Sequence, residues 1–313
     1  MTTNQELRQG KNAISLIGEV KEHKLKSGAK DGNKYINGSI VIKTGDFSDI
    51  ELSVFVGEKS KKGTIKKAYT TLQKFIDEEY KTGANATAEQ VVSKVRVFGN
   101  GDFTPHFKED LYKSEGSDEV KTILKMDLGF GTFSVDNTLT PKDYKSTFDV
   151  EVYVRNIVEE IKDDVVTGRA KIQGLLPVYE GKIFPIELIA GIVVGEDGES
   201  FDFGEQIISG IEIGSTINLW GAINYQSIIE TIKKGGTLGK AKTEEKRTYV
   251  NELLAEGGEV TSEVLEFDAD LVQKALIERD SRIAEKKAET PKEGNKGKGL
   301  SGGSGEPRKR PTF

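Results

Sequence analysis

Apolar and polar residues alternate with a period of two in three consecutive segments near the start of the chain. Their apolar faces are formed by Ile14, Leu16, Gly18 and Val20; by Ile36, Ile40 and Ile42; and by Ile50, Leu52, Val54 and Val56. This alternation predicts half-buried β-strands, because successive side chains of a strand point to opposite faces. Clusters of Gly, Asp, Asn and Lys separate the segments and predict turns between them.

The period changes to that of a helix in TIKKAYTTLQKFIDEEY, residues 64–80, where Thr64 is a suitable N-cap. Strand patterns return in VVSKVRVFG, residues 91–99, and in TILKMDLGF, residues 122–130. Three strands, a helix and two strands is the element order of a five-stranded OB barrel. Gly18 fits this interpretation, because the first strand of a small barrel needs a bulge or kink where it bends.

The second half of the chain repeats the strand pattern without a clear helix. Apolar faces recur in residues 148–161, 165–181, 182–195 and 216–226, whereas 200–214 is too short and glycine-rich to predict the barrel's helix. The predicted fold class is mainly β, with two tandem OB-like five-stranded barrels, a C-terminal helix and a disordered basic tail. The predicted boundaries are 1–140 and 146–230 for the two OB-fold domains, 231–285 for a linker and acidic helical segment, and 286–313 for the tail.

Charge is unevenly distributed along the chain, whose formal net charge is −6. Residues 244–270 contain nine acidic and two basic residues, and residues 286–313 contain eight basic and three acidic residues. The global charge therefore does not exclude a nucleic-acid partner. The absence of cysteine excludes disulfides and thiolate chemistry. A polar N-terminus and the absence of an apolar run of about 18 residues predict a soluble cytoplasmic protein without a membrane segment.

No motif predicts catalysis, a metal site or a cofactor. His23 and His106 lie in separate segments and have no partner at ligand or triad spacing. GGTLGKA, residues 235–241, is one residue short of a phosphate-binding loop and has Ala241 in place of the Mg²⁺-binding hydroxyl. The acidic residues within 196–205 match no Ca²⁺-loop spacing. We expect a non-enzymatic protein that uses neither cofactor nor metal.

Aromatic and basic residues occupy the strand positions opposite the apolar faces. An exposed ring contributes nothing to a core and indicates a partner. Single-stranded nucleic acid suits this surface, because bases stack on rings while Lys and Arg neutralise phosphates. The predicted binding residues on the strands of the first barrel are Lys21, Tyr35, Lys43, Phe55, Lys94, Arg96 and Phe98. The predicted loop between its first two strands, HKLKSGAKDGNK, adds Lys24, Lys26 and Lys34 at a position where OB folds commonly bind a ligand. The predicted binding residues of the second barrel are Tyr153, Arg155, Arg169, Lys171 and Trp220, the sole tryptophan.

The chain contains GNKYINGSIVIKTG followed by IELSVFVGEKSKKG, the repeated KVRVFG and INLWGAINY, and a trailing helix with a low-complexity tail. Over about residues 13–226, this pattern resembles OB-fold single-stranded DNA-binding proteins, in particular those encoded by bacteriophages. The resemblance implies sequence-tolerant coating of single-stranded DNA in phage DNA replication, recombination or repair, within the bacterial host cytoplasm. Such proteins usually end in an acidic tip that recruits partners, whereas this chain ends EPRKRPTF. The acidic segment 244–270 or the C-terminal tail is therefore the expected contact for replication or recombination proteins.

Two other functions fit the same features. A protein-interaction or virion structural module made of two small β-barrels would bury the exposed rings at a protein interface. A nucleotide-dependent enzyme would use the loop 235–241. Titration with labelled oligonucleotides separates DNA binding from the protein-interaction module, and an ATPase assay tests the enzyme.

Overall fold

A computed structural model describes residues 6–99, 104–113, 119–162, 164–195, 197–234 and 242–288, with backbone alone at 228–234, 242–244, 246 and 247. The elements of the first half are β1 Asn12–His23, β2 Lys26–Lys30, β3 Asn33–Lys43, β4 Asp49–Gly57, α1 Lys67–Ile76, β5 Lys94–Phe98, β6 His106–Lys113, β7 Val120–Asp127 and β8 Thr132–Val135. Those of the second half are β9 Lys145–Lys162, β10 Val165–Pro177, β11 Ile183–Ala190, β12 Ile192–Val194, β13 Ser200–Asp202, α2 Phe203–Gly210, β14 Thr216–Lys234, β15 Lys242–Val260 and α3 Ala269–Ala288. The fold is mainly β and carries a C-terminal helix, as predicted.

The first half forms a closed barrel with OB topology. β1 pairs antiparallel with β3 and with β5, and β3 pairs antiparallel with β4. β4 pairs parallel with β7, and β8 pairs antiparallel with β5, so the barrel closes through a fifth strand that is divided into β7 and β8. α1 lies between the third and fourth strands of the barrel. The predicted element order is confirmed.

The first strand bends where the sequence places a glycine. A Cβ atom on Gly18 would lie 2.1 Å from the carbonyl oxygen of Lys43, so no larger residue fits there. The register between β1 and β3 shifts between Val20 and Glu22, which marks a β-bulge. The glycine and the bulge together allow one strand to pair with both β3 and β5 around a small barrel.

The second half forms a barrel of the same topology. β9 pairs antiparallel with β10 and β14, β10 with β11, and β14 with β15. A parallel pairing of β11 with β15 closes this barrel. This barrel also has a helix that the sequence pattern did not predict. α2 occupies eight residues, its N-cap Asp202 accepts a hydrogen bond from the Glu205 N–H, and it buries Phe203 and Ile207.

The fifth strand of the second barrel lies where the sequence predicts a linker. β14 continues to Lys234, and β15 places Leu253 and Ala255 in the core. The acidic segment 244–270 is therefore a barrel strand, a short 3-10 turn and the start of a helix. α3 extends to Ala288, so the first residues assigned to the tail are helical. Residues 289–313 and the loop 235–241 lie outside the described residues.

The two barrels share one sheet and one core. β1 pairs antiparallel with β9 over residues 12–17 of β1, and Ile14 lies opposite Phe148. Both of these side chains belong to one continuous cluster that includes the interiors of both barrels. The barrels are therefore joined by strand pairing and apolar packing as well as by the connecting segment.

A hairpin and a helix link the barrels at a second place. β6 and β7 form an antiparallel hairpin, which we call the arm, and the end of β7 continues into the fifth strand of the first barrel. α3 packs against β6, β7 and β11, and so contacts both the arm and the second barrel. A small separate core under α3 consists of Leu7, Leu175, Ile183, Phe267, Val272 and Ala275.

We expect Gly18→Ala to lower the free energy of unfolding by about 1–3 kcal/mol, because the added methyl group collides with the β3 backbone. Gly57→Ala is the matched control, since a Cβ atom there would meet no atom within 4 Å. It should change the free energy of unfolding by no more than about 0.5 kcal/mol. Urea denaturation measures both variants, and equal effects would contradict the proposed role of Gly18 in bending β1.

Candidate nucleic-acid interface

OB barrels bind oligonucleotides on the outer face of their second and third strands and on the loops beside that face. In the first barrel these strands are β3 and β4, and β2 extends the face because it pairs with β3. The register places one set of side chains on the outside of all three strands, which we call the front face. It consists of Lys26, Gly28, Lys30, Tyr35, Asn37, Ser39, Val41, Lys43, Asp49, Glu51, Ser53 and Phe55.

Two rings form an aromatic platform on the front face. Tyr35 and Phe55 lie with their ring centroids 5.5 Å apart and their planes inclined by 31°. Phe55 is 63% exposed. A Cβ atom on Gly28 would lie 2.6 Å from the Tyr35 ring, so the ring lies directly over this glycine. The missing side chain at Gly28 thus leaves the space in which Tyr35 can lie against the sheet.

Lysines surround the platform. Lys24, Lys26, Lys30 and Lys34 are exposed on the hairpin formed by β2 and the start of β3, and Lys34 lies 3.8 Å from Glu58. Tyr35 pairs with Gly57, after which the chain enters a loop that carries Lys59, Lys61, Lys62 and Lys66 and leads to Lys67 at the start of α1. These lysines are not among the predicted binding residues, although the run EKSKKGTIKK contains them. Positive charge is therefore concentrated at the end of the front face that carries the rings.

The opposite end of the front face is closer to neutral. The Lys21 ammonium lies 2.5 Å from Asp49, and the Lys43 ammonium lies 3.5 Å from Glu19. Glu51 is also exposed on this part of the face. Since the charges of both lysines are balanced locally, Lys21 and Lys43 are less available to a phosphate group than the lysines around the platform.

Lys94 and Arg96 hold the connection between the barrels. The Lys94 ammonium donates a hydrogen bond of 2.5 Å to the Leu139 carbonyl, and Arg96 lies 2.9 Å from Asp136. Hydrogen bonds from Thr138 and Arg96 lower the pKa of Asp136 to about 2. These contacts give Lys94 and Arg96 a structural role that the strand pattern could not reveal. Phe98, on the same outer face of β5, is 40% exposed.

The arm carries a further aromatic and apolar surface that is not among the predicted binding residues. Two lysines on this surface are paired with acidic residues, Lys125 with Asp110 at 2.6 Å and Lys108 with Asp127 at 3.8 Å. Ser53 of the front face pairs with Asp127 of β7, so the front face continues onto the arm. Tyr112 lies opposite Lys121 there, and Ile123 lies between Lys121 and Lys125. Tyr112 is 53% exposed and Ile123 is 42% exposed. The alternation in HFKEDLYK and VKTILKMD was the available signal.

Two of the three cations predicted for the second barrel, Arg169 and Lys171, are engaged in ion pairs. Arg169 lies 2.7 Å from Glu160 and 3.1 Å from Glu252, and Lys171 lies 3.1 Å from Glu187. Burial acts to raise the pKa of Glu160, but hydrogen bonds from Thr167 and Arg169 outweigh it and leave that pKa below its ordinary value. Arg169 therefore joins β10 to β15. Arg155 is exposed on β9.

The outer face of the second barrel's second and third strands is partly covered. Leu175 of β10 and Ile183 of β11 pack under α3 in the small core, and Tyr153 packs against the same core. A cleft of about 410 Å³ remains between Leu124 of the arm and this barrel, lined by Glu160, Glu187, Glu252 and Lys171 among others. Its acidic lining does not suit phosphate groups. The two barrels thus differ: this face is open in the first and covered by protein in the second.

Trp220 lies on the outer side of β14, as predicted, but its neighbours differ from those of the aromatic platform. It pairs with Gly257 of β15 and with Asp149 of β9. A Cβ atom on Gly257 would lie 2.6 Å from the indole nitrogen, so the ring covers this glycine and remains 40% exposed. Glycine opposite the ring explains how a tryptophan fits on the polar side of the strand. Its neighbour Asp149 is paired with Lys11 at 2.5 Å, so this surface lacks the cationic surroundings of the first platform.

The remaining candidate groups make local contacts. A ring nitrogen of His23 lies 3.2 Å from the Phe75 carbonyl oxygen, and one of His106 lies 2.9 Å from the Thr104 carbonyl oxygen. In the described ranges, no three His, Cys, Asp or Glu side chains are grouped as a metal site requires. None of the helices described there is long and apolar enough to cross a membrane.

Comparisons with known proteins give one family and a distant structural likeness. The model of a family described as YorF matches residues 11–289. The wild-type single-stranded DNA binding protein from Thermus aquaticus is 10% identical with a TM-score of 0.41, covering 82% of this chain and 95% of its own. A deletion mutant of that protein is 11% identical with the same TM-score, covering 82% of this chain and 96% of its own. No curated protein matches the chain.

We expect Arg169→Ala to lower the free energy of unfolding by about 1–3 kcal/mol, because it leaves the buried Glu160 carboxylate without its main partner. The exposed Arg155 provides the control, and Arg155→Ala should change the free energy of unfolding by no more than about 0.5 kcal/mol. Urea denaturation at neutral pH measures both. Equal losses for the two variants would contradict the structural role of Arg169.

The same pair predicts a dependence on pH. The pKa of Glu160 is lower in the folded protein, so its contribution to stability is present above the unfolded pKa of about 4.3 and is lost as the pH falls through the folded value. The difference in stability between the native protein and Arg169→Ala should therefore shrink below about pH 4.

Proposed function

The chain belongs to the YorF family, and we propose that it is a non-enzymatic protein that binds single-stranded DNA with little sequence preference. The binding surface is the front face of the first barrel. The observation that carries this proposal is the aromatic platform of Tyr35 and Phe55 between two groups of exposed lysines. The open face of an OB barrel is where such a ligand lies.

The chemistry of the platform suits unpaired bases. Each base has a π-face, so stacking on Phe55 and Tyr35 does not depend on sequence, whereas lysine side chains neutralise the phosphates between stacked bases. A duplex hides these base faces in its own stack and presents phosphates alone. The exposed ring of Phe55 therefore favours single strands over duplexes.

The finer part of the proposal concerns biological role. The resemblance of the sequence to phage-encoded single-stranded DNA-binding proteins supports action in phage DNA replication, recombination or repair, in the host cytoplasm. Contacts with replication or recombination proteins through the acidic segment or the tail belong to the same proposal. For the acidic segment, the contact would be made by a folded surface, because residues 244–260 lie in β15.

We expect tight binding of oligothymidylate, weak binding of duplex of the same length, and a strong dependence on salt. The logarithm of affinity should fall with the logarithm of salt concentration by about 0.7 for each phosphate contacted, and one barrel should cover about 4–16 nucleotides. Fluorescence anisotropy with labelled oligonucleotides measures all three. Equal affinity for duplex, or indifference to salt, would exclude the proposal and favour the protein-interaction module.

We expect Phe55→Ala to weaken binding of a short oligothymidylate by about 5-fold to 100-fold, since one stacking ring contributes about 1–3 kcal/mol. Tyr179→Ala is the control, because Tyr179 is 73% exposed on the second barrel and stands outside the predicted site. It should leave affinity within about twofold. If the two variants bind alike, the aromatic platform is not the binding surface. Thermal unfolding of both variants verifies that each remains folded.

A further inference from the structure

The arm is fixed from behind by a shielded ion pair. The Arg279 guanidinium on α3 makes hydrogen bonds of 2.5 Å and 3.1 Å to the Glu109 carboxylate on β6, and each side chain is only 12% exposed. The Lys113 ammonium donates a hydrogen bond of 2.6 Å to the Lys287 carbonyl near the end of α3. The helix rises about 12 Å between Arg279 and Lys287, and the strand rises about 13 Å between Glu109 and Lys113. Helix and strand therefore run side by side along the arm.

The two faces of the arm have different surroundings. Glu109 lies opposite Leu124 on the back of the arm, where Leu124 borders the cleft against the second barrel. Tyr112, Lys121 and Ile123 lie on the other side, which continues the front face of the first barrel. All three of these side chains are exposed. The contacts with α3 thus immobilise the back of the arm and leave its front open.

The second barrel provides the fixed point for α3. Val272 and Ala275, in the first half of the helix, are buried against Leu175 and Ile183 of that barrel. The second half of the helix then reaches the arm through Arg279. A two-stranded hairpin alone is only marginally stable in water, so these contacts, together with the pairing of β7 with β4, determine where the arm lies.

We propose that Arg279 is a positioning residue for single-stranded DNA. Anchored on the second barrel, α3 holds the arm so that Tyr112 and Lys121 extend the strand path that begins at the aromatic platform. The second barrel acts as the support of this path and not as a second binding barrel. The inference rests on the proposed function, because it assumes that a strand lies on the front face of the first barrel.

The test compares short and long oligothymidylates, of about 8 and about 25 nucleotides, around the range covered by one OB fold. For the native protein, the long oligomer should bind more tightly because it also reaches the arm. Arg279→Ala should reduce the ratio of long to short affinity by about tenfold, and Tyr112→Ala should reduce it similarly, as expected for loss of one stacking ring. Arg279→Lys, which keeps the charge, should restore part of the ratio. Amide hydrogen exchange should accelerate in β6 and β7 of Arg279→Ala.

The positioning role of Arg279 is overturned if Arg279→Ala accelerates amide exchange in the arm without changing the ratio of long to short affinity. It is also overturned if Tyr112→Ala leaves this ratio unchanged. A loss of affinity in Trp220→Ala equal to that in Phe55→Ala would also overturn it, because the second barrel would then bind DNA itself. If Arg279→Ala does not fold, the double charge exchange Glu109→Arg with Arg279→Glu takes its place and must retain the native ratio. If the proposed function itself is wrong, Phe55→Ala will leave the affinity for the short oligomer unchanged. If only the positioning role of Arg279 is wrong, Phe55→Ala will still weaken binding of the short oligomer.

Discussion

The antiparallel pairing of β1 with β9 is the constraint on which the rest of the structure depends. It places Ile14 beside Phe148, so the interiors of two barrels become one apolar cluster. Backbone hydrogen bonds fix the register of the pairing, and a slip of one residue would turn these side chains away from the core. The relative position of the barrels follows from this pairing, and α3 can therefore span from one barrel to the arm of the other.

The barrels share a topology but present different outer faces. In the first, glycine at position 28 makes room for Tyr35, and the lysine-rich loops leave the sheet beside the rings. In the second, Leu175 and Ile183 at the corresponding face are apolar and lie beneath α3. A repeated fold thus presents an open outer face in the first barrel and an outer face partly covered by a helix in the second. The difference arises from a few side chains on the outside of the strands, because the interiors follow the same rules.

The alternation of apolar residues was enough to predict the strands of the first barrel and the side on which Tyr35 and Phe55 lie. It failed for β15, where glutamates and Gly257 interrupt the pattern, although Leu253 and Ala255 still point inward. The alternation also could not distinguish exposed cations from cations that are held in ion pairs. Arg155 and Arg169 are both outward-facing strand residues in the sequence pattern, but Arg155 is exposed whereas Arg169 contacts two carboxylates from other strands. Such partners lie far apart in the chain, so local periodicity carries no information about them.

The shared sheet also decides whether either barrel can exist as a separate module. Residues 12–17 of β1 satisfy their backbone hydrogen bonds on one edge only through β9. A first barrel severed from the second would expose this edge next to the apolar side chains of the opened core, which is a template for aggregation. We therefore expect the two barrels to fold as one cooperative unit, and excision of either barrel to leave the other prone to aggregation.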